Sequence, residues 1–405
     1  MQREKEPCHT ESRTNGIFEL NMDENKFWNQ IKEEKIKEFT YNELPENKTE
    51  GRVISANKEF LAISWKNGEI IVVDSSKSSK INDNFPKLKG PNSRILDLEF
   101  SPFNNNILAS AYDDYSLLLF KISQERNSQI LTYQKIPYKK NHTKKVNLID
   151  FSPVSEGIIC SAASLGEILV WDVEKKDSQI KLQADNDPTS VSWNPNGFLI
   201  GASTKYKNMF IFEHRIKEKV FKIEINEGII SSKFTWVDEN KFVTTSWNNK
   251  KNSKMLKLWD IRNIENKEEI ISMNISNNNI VVDPYIDKDN NLLYTIEKGG
   301  NSINIYNYNE GNFKRIKSIS LSKNFDCSIL FDKKCLDYFK FEIDRFALYN
   351  NENICYVSFF KPNVEEFICP PYENNESLLL NEKSILGGNP ESIQKISVSN
   401  DKEFK

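Results

Sequence analysis

Three histidines are the first residues to weigh for catalytic chemistry in this sequence: His9, His142 and His214. None lies in an HExxH pattern or in a nucleophile and base arrangement, and neither GxxxxGK nor GxGxxG occurs. The six cysteines form no CxxC pair, so no zinc framework is predicted. The sequence therefore predicts a protein that is not an enzyme, with no catalytic residue, no bound metal and no cofactor.

Clusters of basic residues are the remaining candidates for binding chemistry. Each could dock an acidic partner, or could simply be a solvated loop of a lysine-rich chain. Both interpretations stay open for the three clusters, which are Lys135, Lys139, Lys140, Lys144 and Lys145; Lys250, Lys251 and Lys254; and His214, Arg215, Lys217 and Lys219.

The charge balance excludes one large class of partner. The 405 residues include 55 basic and 58 acidic residues, for a net charge of -3. A general nucleic-acid binder usually has a clear basic excess, so no nucleic-acid partner is expected. No apolar run approaches the roughly 20 residues of a membrane span, and the N-terminus lacks the apolar region of a secretion signal. We expect a cytoplasmic protein without a transmembrane segment.

A repeat organises the chain. Short apolar strands end in an aromatic or apolar residue and then a polar one, as in Ile168-Leu169-Val170-Trp171-Asp172. Aligned on Val73, Phe120, Trp171, Phe212, Trp259 and Tyr306, successive copies are 47, 51, 41, 47 and 47 residues apart. This period is typical of a β-propeller, in which one blade of four strands takes about 40–45 residues.

A further motif recurs at a similar place in three successive repeats. Phe100-Ser101-Pro102, Phe151-Ser152-Pro153 and Trp193-Asn194-Pro195 are predicted to end the innermost strand of their blades. WD repeats usually hold an Asp six residues before the Trp, bonded to a His. Here only Asp114 occupies that place, and His142 marks the one His site. The pattern predicts blades that rely on apolar packing more than on a buried polar network. The predicted structural positions are Asp114, Phe120, His142, Trp171, Asp172, Phe212, Trp259, Asp260 and Tyr306.

The last third of the chain resembles one WD family, the coronins. Thr244-Thr245-Ser246-Trp247, Leu258-Trp259-Asp260 and Asp283-Pro284-Tyr285 are similar to the family's fifth and sixth blades, and Lys333-Lys334-Cys335-Leu336-Asp337 to its Lys-Arg-Gly-Leu-Asp. Earlier, the segment 96–104 resembles the family's second blade. The resemblance runs in order through roughly residues 36–395.

The resemblance implies an all-β fold, a seven-bladed WD40-like propeller with a C-terminal extension packed on one face. The domains expected are 1–35 as a polar N-terminal extension, 36–362 as the propeller and 363–405 as the C-terminal extension. Blade 7 would use about residues 325–362, and a strand over Ile36–Leu44 would complete its outer edge and close the ring. A short helix is predicted over Glu24–Glu34, either docked on the propeller or binding a partner.

The function implied by the resemblance is non-enzymatic binding of actin filaments, organising the actin cytoskeleton in motility, trafficking or endocytosis. A filament-nucleating complex is a further expected partner. The family's basic residue in the loop leading into blade 1 falls at Glu46 here, so Lys48 or Arg52 is expected to replace it. Together with four lysines of the first basic cluster, the expected actin-binding residues are Lys48, Arg52, Lys139, Lys140, Lys144 and Lys145. Charge reversal at these residues is expected to leave the melting temperature unchanged.

The chain departs from the family after its last blade. The coronins usually end in a coiled coil, whereas no heptad repeat follows Gly388, so we expect this chain to be monomeric. The second function compatible with the sequence is a WD-repeat scaffold for a protein complex or a phosphoinositide membrane surface, without direct actin contact.

Overall fold

The fold is a ring of seven four-stranded antiparallel sheets, each a blade of a β-propeller. The computed structural model describes residues 31–41, 49–124, 131–137, 142–175, 177–228, 231–266, 269–278, 280–309, 312–361, 377–380 and 393–396. In these residues the first strands of neighbouring blades contact one another and surround a central channel. The predicted fold class, a seven-bladed propeller, is confirmed.

The strands follow one another from the channel outward in each blade. Blade 1 contains β2 (Ile54–Ala56), β3 (Phe60–Ser64), β4 (Glu69–Asp74) and β5 (Lys87–Lys89). Blade 2 contains β6 (Ile95–Phe100), β7 (Ile107–Tyr112), β8 (Leu117–Gln124) and β9 (Leu131–Pro137). Blade 3 contains β10 (Val146–Phe151), β11 (Ile158–Ala163), β12 (Glu167–Asp172) and β13 (Asp177–Gln183). Blade 4 contains β14 (Pro188–Trp193), β15 (Leu199–Thr204), β16 (Asn208–Glu213) and β17 (Glu218–Glu224).

The second half of the ring repeats this order. Blade 5 contains β18 (Lys233–Trp236), β19 (Lys241–Asn248), β20 (Ser253–Asp260) and β21 (Ile271–Ser276). Blade 6 contains β22 (Val282–Asp287), β23 (Leu292–Glu297), β24 (Gly300–Asn309) and β25 (Asn312–Phe325). Blade 7 contains β26 (Cys327–Leu330), β27 (Glu342–Tyr349) and β28 (Asn353–Phe360), and its fourth strand is β1 (Lys32–Thr40).

The apolar core lies between the blades. Seven buried clusters each join residues of two neighbouring blades, so every blade packs one face on the blade before it and one on the blade after it. The six residues on which the repeat was aligned all lie in third strands and are buried in these clusters: Val73, Phe120, Trp171, Phe212, Trp259 and Tyr306. Alternation along each strand directs successive side chains into opposite clusters.

The N-terminal strand closes the ring. β1 pairs antiparallel with β28, from Lys32 opposite Phe360 to Thr40 opposite Asn353. The strand thus begins and ends four residues earlier than the predicted Ile36–Leu44. Phe39 sets this position because its ring is fully buried and lies 5.3 Å from the ring of Tyr356.

The predicted helix over Glu24–Glu34 is wrong at its C-terminal end, since Lys32, Glu33 and Glu34 are in β1. Pairing with β28 satisfies the backbone of these residues in the sheet instead of in a helical turn. Residues 24–30 lie outside the described part of the chain.

The remaining elements are small. Five 3₁₀ turns occur at Lys66–Gly68, Ser164–Gly166, Ile261–Asn266, Lys333–Cys335 and Tyr338–Lys340. In the C-terminal region, Ser377–Leu380 (β29) and Ile393–Ile396 (β30) form a two-stranded antiparallel sheet. The packing of residues 363–405 on the propeller stays a prediction. No helix among the described residues has the length and apolarity of a membrane span.

Candidate functional site

The central channel opens at two mouths. The turn mouth is a cavity of about 570 Å³. It is lined by residues at the start of first strands and in the turns between second and third strands. The strand-end mouth, about 500 Å³, is lined where first strands end, by residues including Glu99, Asp150 and Trp193. Successive strands run in opposite directions, so all turns between second and third strands lie on the face of the turn mouth.

Arg52 lines the strand-end mouth of the channel. Its Nη1 donates to Glu99 at 2.8 Å and its Nη2 to the carbonyl of Ile149 at 2.6 Å. Its side chain is 30% exposed and that of Asp97, its main partner, only 1%. Burial opposes the charged guanidinium, but Asp97 and Glu99 hold the pKa of Arg52 well above its ordinary value. The side chain is therefore occupied within the propeller.

The same carboxylates join the blades through backbone hydrogen bonds. Asp97 accepts the N–H of Ile149 at 2.8 Å, and Glu99 accepts the N–H of Phe151 at 3.0 Å. Asp150 continues the pattern by accepting the N–H of Trp193 at 2.8 Å. Each of these three carboxylates thus accepts a backbone hydrogen bond from the first strand of the next blade.

The charges of this group do not balance. Asp97, Glu99 and Asp150 face the single guanidinium of Arg52. Burial raises the pKa of Glu99 despite the nearby guanidinium. Burial and the Glu99 carboxylate together raise the pKa of Asp150 well above its ordinary value. The group is a structural ion network rather than an exposed docking charge.

The turn mouth has a mixed electrostatic character. Four basic and four acidic residues line it: Arg94, Lys145, Lys205 and Lys298, with Glu50, Asp113, Asp187 and Asp326. Two of the basic side chains are bonded within the mouth, since Lys298 donates to the carbonyl of Thr49 at 2.5 Å and Lys205 lies 3.3 Å from Asp187. Beneath them, Lys233 lies 3.2 Å from Glu50.

Lys144 and Lys145 differ from the other lysines of this face. Both are exposed in the segment leading into β10. Among the described residues, no carboxylate is within ion-pair distance of either ammonium group. Lys145 interacts electrostatically with the nearby Asp187 carboxylate, but neither ammonium group is in an ion pair with a described residue, so both can contact a partner.

Three predicted docking residues fall outside the described part of the chain: Lys48, Lys139 and Lys140. The structure places Arg52 in the channel network and Lys144 with Lys145 on the rim of the turn mouth. It therefore does not bring Arg52 together with the two exposed lysines. Of the second basic cluster, Lys254 is in β20 and fully buried, while Lys250 and Lys251 are exposed.

Blade 3 contains a buried polar network that the sequence analysis did not predict. Trp171 Nε1 donates to Ser161 Oγ at 2.6 Å, and Ser161 Oγ lies 2.6 Å from His142 Nε2. His142 Nδ1 lies 2.8 Å from Glu167. Burial lowers the pKa of His142, against the attraction of Glu167, so the neutral ring accepts from Ser161 and donates to Glu167.

The acid of this network could not be predicted from the usual WD spacing, because Leu165 occupies the position six residues before Trp171. Glu167, two residues later, reaches His142 with its longer side chain. An acidic residue at the start of the third strand, in a blade whose first strand follows a His, is the signal that would have revealed it.

The other predicted structural positions have local roles. Asp114 accepts from the Ser116 hydroxyl at 2.5 Å within its turn. Asp172 accepts from the Lys175 ammonium at 2.5 Å, and Asp260 from Arg262 at the same distance. In blade 5 the indole of Trp259 donates to Thr244 at 2.9 Å. The described residues contain no group of three or more His, Cys, Asp or Glu arranged to hold a metal.

Comparisons with known proteins agree on one family. The chain is 22% identical over 369 residues to a coronin-like protein of Saccharomyces cerevisiae, which covers 87% of this chain and 57% of that protein. It is 23% identical over 288 residues to human Coronin-2A, and this match covers 67% of this chain and 53% of Coronin-2A. The crystal structure of the WD40 domain from Toxoplasma gondii coronin superposes with a TM-score of 0.80 at 22% identity, covering 92% of this chain and 98% of that one.

The predicted resemblance to the coronins is confirmed by these matches. No protein-family model matches the sequence. The chain spans about half the length of the curated relatives it matches.

Proposed function

We propose that this chain, a seven-bladed WD-repeat propeller of the coronin type, binds actin filaments without catalysing a reaction and organises the actin cytoskeleton. The similarity to coronins along most of the chain is the observation on which the proposal depends. It also implies a location in the cytoplasm at the actin cytoskeleton. A monomeric state and a filament-nucleating complex as second partner belong to the same proposal.

The exposed lysines leading into blade 3 support the proposal. An actin filament is a strongly acidic polymer, and complementary charge steers and orients such a contact. Lys144 and Lys145 are exposed and free of carboxylate partners among the described residues. Lys48, Lys139 and Lys140, which lie outside the described residues, are further docking residues in this proposal. Arg52 is not a docking residue in this proposal, because its guanidinium is bonded inside the channel.

Co-sedimentation with actin filaments at about 50 and 150 mM salt tests the proposal. We expect the full chain to pellet with filaments and to bind more weakly at higher salt, because exposed charge pairs are screened beyond about 8 Å at physiological ionic strength. A variant with Lys139, Lys140, Lys144 and Lys145 all changed to Glu should lose most of this binding.

A matched control is available on the opposite face. Lys77→Glu with Lys217→Glu changes two exposed lysines in turns between third and fourth strands, and should bind like the parent. A parent chain that stays in the supernatant at both salt concentrations would overturn the actin proposal. The scaffold function without actin contact would then be the better interpretation.

A further inference from the structure

Three neighbouring blades expose a bulky apolar side chain at a strained turn. Tyr115, Leu165 and Tyr206 lie between the second and third strands of blades 2, 3 and 4. Their φ angles of 71°, 65° and 82° are left-handed, a region that side chains larger than Asn rarely adopt. Their exposed fractions are 45%, 62% and 53%. Both the left-handed backbone angle and the exposure of a bulky side chain are therefore unfavourable for the isolated protein.

The other blades show which residues these turns ordinarily take. Blade 1 has Asn67 at φ 56°, blade 5 has Asn252 at φ 46° and blade 6 has Gly299 at φ 78°. Asn and Gly tolerate the left-handed region with little or no steric cost. The fold thus accepts the favoured residue types in this turn, and blades 2 to 4 depart from them. A strained outlier that the fold does not require points to a function.

A repeated hydrogen bond holds these turns beside the turn mouth. The backbone N–H of Asp113 donates to the carbonyl of Arg94 at 3.0 Å, and Ser164 N–H donates to the carbonyl of Lys145 at 3.0 Å. In blade 4, Lys205 N–H donates to the carbonyl of Asp187 at 2.9 Å. The turn of each blade is thereby fixed to the residue that precedes or begins its first strand.

Two of the turns are also joined across the blade boundary. The backbone N–H of Leu165 donates to the Asp187 carboxylate at 2.7 Å, and the Lys205 ammonium lies 3.3 Å from the same carboxylate. Tyr206 directly follows Lys205. The exposed side chains of blades 3 and 4 are thus presented from one bonded unit, and the hydrogen bond from Ser164 to the carbonyl of Lys145 connects Lys144 and Lys145 to it.

We propose that Tyr115, Leu165 and Tyr206, here called the apolar rim, form the apolar centre of the contact with the actin filament. Lys144 and Lys145 would supply the charged part of the same surface. This inference rests on the proposed function and assigns it a face of the propeller. Charge complementarity selects the occupant, because the two unpaired ammonium groups beside the rim suit an acidic surface.

The chemistry of the rim suits such a contact. Aromatic side chains in the middle of an interface, surrounded by polar residues, contribute most of the binding energy. A turn whose backbone is already fixed by hydrogen bonds loses little conformational freedom on binding. An apolar rim beside exposed lysines therefore provides affinity where the charges provide orientation.

The test is a triple variant, Tyr115→Asn with Leu165→Asn and Tyr206→Asn, in filament co-sedimentation of the full chain. Asn is the residue that blades 1 and 5 have in this turn. We expect the dissociation constant to rise at least about tenfold, with a melting temperature equal to or higher than that of the parent. The control is Ile216→Asn with Ile270→Asn and Phe339→Asn, three exposed side chains in turns of the opposite face.

The outcomes separate this inference from the proposed function. Loss of binding in the rim variant alone supports the inference. If the parent pellets and the rim variant pellets equally, the inference is overturned and the proposed function stands. If the control loses as much as the rim variant, the loss is not specific to this face and the inference is again overturned. A parent that never pellets overturns both.

Discussion

The guanidinium of Arg52 binds both carboxylate oxygens of Asp97, with Nε 2.9 Å from Oδ1 and Nη2 3.0 Å from Oδ2. The backbone N–H of Arg52 also donates to Asp97, at 2.7 Å. Since Arg52 precedes blade 1 and Asp97 is in blade 2, this contact joins two blades at the channel. Its planar, two-point geometry is available to arginine and not to lysine.

Arg52→Met is expected to destabilise the propeller by at least about 3 kcal/mol, because removing one partner leaves buried carboxylates without compensation. Urea unfolding followed by tryptophan fluorescence measures this change. Because this side chain is part of the ion network, we now expect charge reversal at Arg52 to lower the melting temperature, in place of the unchanged value expected from the sequence.

Arg262→Met is the matched control, because Arg262 makes an exposed ion pair with Asp260 and its side chain is 63% exposed. Such pairs contribute about 0–1 kcal/mol. Equal urea midpoints for the Arg52 and Arg262 variants would contradict a structural role for the network.

Ring closure gives a second prediction. Deleting residues 1–41 removes β1 and leaves the backbone of β28 unpaired along one edge. An exposed strand edge pairs readily with other chains, so we expect the shortened protein to aggregate. Size-exclusion chromatography with light scattering measures this. Deleting residues 1–20 is expected to be nearly silent, and a soluble, cooperatively unfolding 42–405 fragment would argue against closure by β1.

Blade 3 gives a third prediction. Ser161→Ala removes the atom that receives the Trp171 N–H and faces the His142 ring, so two buried polar groups each lose a short hydrogen bond. We expect a loss of about 2–6 kcal/mol, given roughly 1–3 kcal/mol for each buried polar group that loses its partner.

Ser110 is the equivalent residue of blade 2 and provides the control. Its hydroxyl makes only long contacts, 3.2 Å to Tyr112 and 3.3 Å to the carbonyl of Leu118. Ser110→Ala should cost less than about 1 kcal/mol. A ratio near one between the two losses would show that the network adds nothing to the stability of blade 3.

The repeat in the sequence predicted the blades because packing between blades imposes one pattern on all of them. Phe120, Trp171 and Phe212 recur where the third strand enters the core, and this requires only the local sequence. Pro102 and Pro153 likewise follow first strands, where no further donor is needed. Register was less predictable: Ile36–Leu44 was four residues too late because burial of Phe39, not composition, positions β1.

The channel network could not be predicted from the repeat. Asp97 and Glu99 alternate along β6 and so lie on one face, but their partner Arg52 is in a different blade. The family resemblance assigned Arg52 to the loop leading into blade 1. Lys254 was assigned to a basic loop because it follows Lys250 and Lys251 closely in the sequence, although it is in β20 and buried. Contacts between blades decide both roles.

The buried Lys254 gives the last prediction. Its side chain is fully buried, and its ammonium group has no hydrogen-bond partner among the described residues. Burial lowers the pKa of Lys254 to about 8 from its ordinary 10.5, and Lys233 adds to this while Asp283 opposes it. Charging this side chain therefore costs the folded state free energy at neutral pH.

The sign of the pH dependence follows from proton binding. Between pH 8 and 10.5 the unfolded chain holds the proton on Lys254 and the folded chain has released it. The contribution of this group to the free energy of unfolding therefore rises with pH across that window, by about 3 kcal/mol in total. Lys254→Met, which is similar in length and uncharged, should raise stability at pH 7 by about 1–3 kcal/mol and remove this rise.

Urea unfolding of parent and variant at pH 7, 8, 9 and 10 tests this, with the difference between the two proteins as the quantity of interest. Other groups that titrate in this range cancel in the difference. Lys251→Met, at an exposed position in the turn just before β20, should have the same stability as the parent at every pH. A Lys254→Met protein that is less stable than the parent at pH 7, with a difference that stays constant up to pH 10, would mean that the Lys254 ammonium is compensated in the folded state.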